Sequence, residues 1–137
     1  KFGLHSQLFL VGWRSDIPEI LHALDVFVLT SLWEGLPISV LEAMAQARPV
    51  IATNTGGISE VIKEGKTGFL VAPGDMNNMS KRLIILLQDS RLRETIGKNA
   101  KDSLDYSFTL SGMVKNTQNL YNDLLSGRNK NYCKSSC

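Results

Sequence analysis

Short apolar runs separated by helix-length segments constrain this chain more than any other feature. "QLFLVG" (7–12), "DVFVLT" (25–30), "PVIATN" (49–54) and "GFLVAP" (68–73) each have the length and residue types of a strand. Of these runs, "DVFVLT" is too uniformly apolar for a sheet with one wet face, and a strand of that kind is covered on both sides. Between them lie "DIPEILHAL" (16–24), "PISVLEAMAQA" (37–47) and "GGISEVIKEG" (56–65), which read as helices. The order β-α-β-α-β-α-β predicts an α/β fold, a Rossmann-like parallel sheet with helices on both faces.

Local signals place the boundaries. Asp16 is a candidate N-cap, with Glu19 three residues on as in a capping box. Pro37 suits a first helical turn, where its missing N–H costs nothing. Asp75 is placed to cap an amphipathic helix through "MSKRLIILLQ", with Met79, Leu83, Leu86 and Leu87 on one side as core residues. Residues 89–104 and 109–125 read as two further helices. Residues 126–137 are polar and are expected to be disordered, leaving 1–125 as one domain. There is no internal repeat.

Composition excludes several classes. Fifteen basic residues against thirteen acidic ones give a net charge of +2, a balance that calls for no nucleic-acid partner. A loose basic cluster at Arg128, Lys130 and Lys134 reads as solvated tail. Both cysteines, Cys133 and Cys137, fall in that tail, so nothing suggests a secreted disulfide scaffold and a reducing, cytoplasmic setting is expected. No apolar run approaches the roughly 20 residues of a membrane span, and no signal peptide is visible. The first residue is Lys, so the start of the natural protein is expected to lie upstream.

In an open parallel sheet, ligands bind beyond the carboxyl ends of the strands. The segments to inspect are therefore Gly12-Trp13-Arg14, Ser31 to Leu36, Asn54 to Gly57 and Pro73-Gly74-Asp75. The second runs into "EGLPISVLE" (34–42), in which Glu34 sits in the loop and Glu42 in the second turn of the helix. A helix beginning near Pro37 aims free N–H groups and a positive dipole end into the crevice, which suits a phosphate. Glu42, flanked by Leu41, Ala43 and Met44, is expected to be partly buried, where its carboxylate would accept hydrogen bonds from a ribose diol. Glu34 would accept from sugar hydroxyls. Trp13 suits either packing or base stacking. Gly56-Gly57 reads as a backbone requirement at a helix start. His5 and His22 read as exposed or packing residues.

These residues carry a family resemblance. "EGLPISVLEAMAQARPVIATNTGGISEVIKEGKTGFLVAPGD", with "LFLVGWRSDIPEILHALDVFVLTSLW" before it and "NLYNDLL" after it, resembles the C-terminal, donor-binding half of GT-B glycosyltransferases of the group 1 (family 4) type. The likeness spans nearly all of residues 7–125. It implies an anomer-retaining hexosyltransferase working in glycan or polysaccharide synthesis. By that resemblance Glu34 is the catalytic carboxylate of this half, touching donor sugar hydroxyls. The backbone of Gly35, Leu36, Pro37 and Ile38 faces the phosphates, Glu42 holds the ribose, and Trp13-Arg14 lies by the nucleobase. The nucleotide-sugar is a substrate, and neither metal nor other cofactor is implied.

The family's basic phosphate clamp and its acceptor domain would lie upstream of Lys1. So would the first two βα units of the donor domain, and this stretch alone is expected to transfer no sugar. The full-length protein is expected to meet an acceptor and to associate peripherally with membrane. The alternative is a non-catalytic nucleotide-sugar-binding or protein-interaction module derived from such an enzyme. The resemblance makes 7–12 the third strand and 25–30 the fourth of the order 3-2-1-4-5-6. With the two strands between them absent, the gap is expected to stay open or to be filled by another chain, exposing Phe9, Val11, Phe27 and Leu29.

Overall fold

The computed structural model describes residues 3–126. From the first helix onward its elements follow the predicted alternation: α1 (Ile17–Ala23), β1 (Phe27–Leu29), α2 (Ile38–Ala45), β2 (Val50–Thr53), α3 (Ile58–Val61), β3 (Gly68–Val71), α4 (Met76–Gln88), α5 (Ser90–Asp102), a 3₁₀ turn (Tyr106–Phe108) and α6 (Leu110–Leu125). The strands form one parallel sheet in the order β1-β2-β3. Phe27 stands opposite Val50, and Val50 opposite Gly68, so the register runs straight across the sheet.

Alternation along each strand divides the core in two. Phe27, Leu29, Val50, Ala52 and Leu70 face one side, against Leu21 of α1, Val40, Ala43 and Met44 of α2, and Ile58, Val61 and Ile62 at α3. Val26, Val28, Ile51, Phe69 and Val71 face the other, against Met79, Leu83 and Leu86 of α4. α5 serves both clusters, through Ala100 on the first and Ile96 on the second. β2, paired on both edges and covered on both faces, is wholly buried. This is the α/β Rossmann-like sheet with two covered faces that the β-α alternation predicts.

Four expectations need correction. Residues 7–12 form no strand, Gln7 and Leu8 donating only to Leu4 in a local turn, while the edge of β1 is open among the described residues, as expected. Leu8, Phe9, Leu10 and Val11 are exposed, Leu10 by 91%. An apolar run becomes a strand only where a neighbour satisfies its N–H and C=O groups, and composition says nothing about whether one exists. Phe27 and Leu29 at the open edge are half-buried, because helices cover them even without a strand beside them. The capping box at Asp16 does not form: its side chain makes no cap bond and pairs with Arg14 instead. Leu87, assigned to the core face of α4, is exposed.

Asp75 behaves as expected, its carboxylate accepting from the Asn78 N–H at 3.0 Å. Pro37 stands one residue before the first helical position rather than on it. Ser126 closes α6. The rest of the expected tail, with both cysteines and the basic cluster, lies outside the described residues. No described helix is long and apolar enough to cross a membrane.

Candidate functional site

The carboxyl ends of β1 and β2 bring two loops into contact. The first, residues 31–36, leads from β1 towards α2. The second, residues 54–57, leads from β2 into α3. Their backbones meet so closely that a Cβ on Gly56 would lie 1.9 Å from the Glu34 carbonyl oxygen and 2.5 Å from that of Gly35. Gly56 also has φ +54°, a conformation that side chains with a Cβ disfavour. The Gly57 N–H donates to the Gly35 carbonyl at 2.7 Å. The glycine pair expected to serve a helix start is thus also a contact surface for the Glu34 loop.

Thr53 and Thr55 strengthen that contact. The Thr53 hydroxyl, on a nearly buried side chain, donates to the Ser31 carbonyl. The Thr55 hydroxyl donates to the Leu32 carbonyl at 3.2 Å. Sequence reasoning assigned neither threonine a role, although Thr55 lies in the flagged segment 54–57, since a hydroxyl at a strand end is unremarkable until the carbonyl it reaches is known.

Glu34 is half-buried, and its carboxylate takes no hydrogen bond from the described residues. A carboxylate in that state keeps its acceptor capacity for a ligand. Beside it α2 begins after an extended Pro37. The N–H groups of Leu36, Ile38 and Ser39 have no protein acceptor among the described residues, which is the ordinary condition of a first helical turn. Gly35 has open space on the side where a Cβ would stand. Ile38 is exposed, Leu36 marginally so, and Pro37 half-buried.

Glu42 is exposed, not partly buried as its sequence neighbours suggested. A helix advances about 100° per residue, so Glu42 points away from buried Val40, Ala43 and Met44, which face the sheet. It lies on the rim of an open, mainly apolar groove of about 730 Å³, between α2 and the segment that opens α6. Leu36, Ile38, Leu41, Leu104, Phe108, Leu110 and Met113 line it. The residues from the 3₁₀ turn onward were not anticipated as site neighbours. The caps at Asp105 and Thr109, which accept from Ser107 and Gly112, are the sequence signal that could have marked a bend there.

Trp13 is 88% exposed, so packing does not account for it. Arg14 donates from Nε to Asp16 at 2.7 Å, and this hydrogen bond holds the Asp16 carboxyl below its ordinary range. Arg14 is therefore already engaged with a neighbouring carboxylate. His22 lies exposed in the last turn of α1, and His5 in an exposed turn. No group of three or more His, Cys, Asp and Glu among the described residues is arranged to hold a metal.

Comparison with known proteins gives a consistent result. The family described as "Glycosyl transferases group 1" matches residues 1–103. The Escherichia coli UDP-Gal:alpha-D-GlcNAc-diphosphoundecaprenol alpha-1,3-galactosyltransferase is 36% identical over 122 residues, covering 89% of this chain and 31% of the relative. The Bacillus anthracis N-acetyl-alpha-D-glucosaminyl L-malate synthase is 33% identical, covering 89% of this chain and 32% of its own length. Among solved structures, Anabaena HepE in complex with UDP superimposes with TM-score 0.79 at 30% identity, covering 90% of this chain and 34% of that one. The chain spans about a third of the length of the curated relatives it matches.

Proposed function

The chain belongs to the group 1 glycosyl transferases, and from that premise we propose that it is the donor-binding part of a retaining glycosyltransferase. Such an enzyme moves a sugar from a nucleotide-sugar to an acceptor in glycan or polysaccharide synthesis. The observation that carries this reading is the pairing of an unengaged, half-buried Glu34 carboxylate with the open first turn of α2 at one sheet edge.

The roles follow from donor chemistry. The diphosphate is received by the backbone from Gly35 to Ile38, where free N–H groups and the helix dipole favour negative charge. Glu34, one step before that turn, accepts hydrogen bonds from hydroxyls of the transferred sugar. It acts as the catalytic carboxylate of this half by fixing the sugar against its leaving phosphate. Glu42, one turn into α2, accepts from the ribose diol. The exposed Trp13 ring stacks on the base, with Arg14 beside it. The nucleotide-sugar is a substrate, and the reading assigns neither a metal nor another cofactor. UDP and UDP-glucose are bound by the structural neighbour HepE, which makes a uridine diphosphate sugar the first donor to try. The acceptor side, and any peripheral attachment to membrane, belong to the remainder of a longer cytoplasmic protein.

Glu34→Ala in the full-length protein tests this. Loss of a hydrogen bond to a charged acceptor is worth about 1.5–3 kcal/mol, so transfer should fall roughly 10- to 150-fold. Binding of the bare nucleotide, measured by calorimetry, should hold within about twofold, because Glu34 touches only the sugar. Equal losses in both would contradict the assignment.

A further inference from the structure

The loop that carries Glu34 has little structure of its own. Among the described residues, the hydrogen bonds that reach residues 31–36 all come from the last residue of β2 and the turn after it. They arrive from alternate residues: the Thr53 hydroxyl to Ser31, the Thr55 hydroxyl to Leu32 and the Gly57 N–H to Gly35. Between the last two, Gly56 lets the backbones touch where any Cβ would strike the Glu34 carbonyl. The turn is itself fixed, since Asn54 N–H donates to the Val71 carbonyl of β3 at 2.7 Å and Thr53 ends the buried central strand.

We propose that this turn, through Thr55 and Gly56, is a positioning device that sets the height and direction of the Glu34 carboxylate over the sheet edge. The inference rests on the reading of Glu34 as the sugar-side carboxylate. Thr55 itself touches no substrate; it acts through the Leu32 carbonyl, two residues before Glu34. β3 and β2 thereby hold a group that follows β1, so the stiff middle of the sheet stabilises the loop at its open edge. A displacement on the order of 1 Å in a reacting geometry is enough to cost roughly 100-fold in rate. The nucleotide, whose diphosphate lies on backbone running from Gly35 into the packed start of α2 and whose ribose lies on Glu42, would feel a shift made through Leu32 less than a sugar held by Glu34 alone.

The test uses the full-length protein with a UDP-sugar donor, and Thr55→Val, which keeps the side-chain shape and removes one hydroxyl. Expected is a fall in kcat of roughly 5- to 30-fold with UDP affinity within about twofold, since the hydroxyl acts on geometry rather than on nucleotide contacts. Thr55→Ser, which restores the donor, should recover most of the rate. In a Glu34→Ala background Thr55→Val should add less than about twofold, because residues acting through one group are not additive. Full activity of Thr55→Val, or an undiminished loss in the Glu34→Ala background, overturns the proposal while leaving Glu34's role intact. If Glu34→Ala alone leaves transfer unchanged, the functional reading fails and this proposal with it.

Discussion

Gly56→Ala separates two costs that a glycine can hide. The first is conformational: Gly56 has φ +54°, and an L-residue there costs about 1–2 kcal/mol. The second is steric: the new Cβ would stand 1.9 Å from the Glu34 carbonyl oxygen, whereas even close C–H···O contacts keep about 3.3 Å. The two loops must therefore part by about 1 Å or more. That stretches the 2.7 Å bond from Gly57 to Gly35, a further loss of about 0.5–1.5 kcal/mol. Together the expected destabilisation is about 1.5–3.5 kcal/mol, above the usual centre of point-mutant effects at about 1 kcal/mol.

Gly65 supplies the control. Its φ is +70°, and a Cβ there meets nothing within 4 Å, so Gly65→Ala carries only the conformational cost, about 1–2 kcal/mol. Urea denaturation of both variants, compared at constant m-value, measures the difference. Gly56→Ala should exceed Gly65→Ala by about 0.5–1.5 kcal/mol, the share that comes from parting the loops. Equal losses would refute the claim that the loops are locked by contact, and with it the reason for a glycine at position 56.

Three further outcomes follow from the same structure. Glu42→Ala in the full-length protein should raise the donor Kd about tenfold or more, the equivalent of at least one charge-assisted hydrogen bond; an unchanged Kd in a folded variant removes Glu42 from the site. Ile51→Ala deletes a fully buried side chain from the central strand and should cost about 2–5 kcal/mol in urea denaturation; a loss under about 1 kcal/mol would mean that the cluster facing α4 is loosely packed. Hydrogen bonds from the Asn78 backbone N–H and then its side-chain amide hold the Asp75 carboxyl below its ordinary value. A lowered folded value gives stability that is complete above the unfolded value of about 3.9 and is lost as pH falls through the folded one. The Tm gap between wild type and Asp75→Ala should therefore shrink below pH ~3.9, and a gap that persists or widens there would contradict the cap.

Much of the fold was legible because period and punctuation are local. The uniform apolar character of 25–30 announced a strand covered on both faces, the runs at 49–54 and 68–73 announced its partners, and Asp75 announced its helix, because an N-cap acts within one turn. Glu34 stood out because strand–loop–helix order alone puts it at the carboxyl edge of a parallel sheet. Glu42 was placed on the right helix and given the wrong burial: chain neighbours predict surroundings along a line, while a helix turns each residue about 100° from the last. The strand expected at 7–12 failed for a different reason, since strand formation is a property of two segments and only one was in view. The contact of Gly56 with Glu34, and the hydroxyls of Thr53 and Thr55 on the loop that carries it, join residues about twenty positions apart. No local signal encodes such a pairing; it exists only once β1 and β2 lie side by side, and it is there that tertiary structure decides how the carboxylate is held.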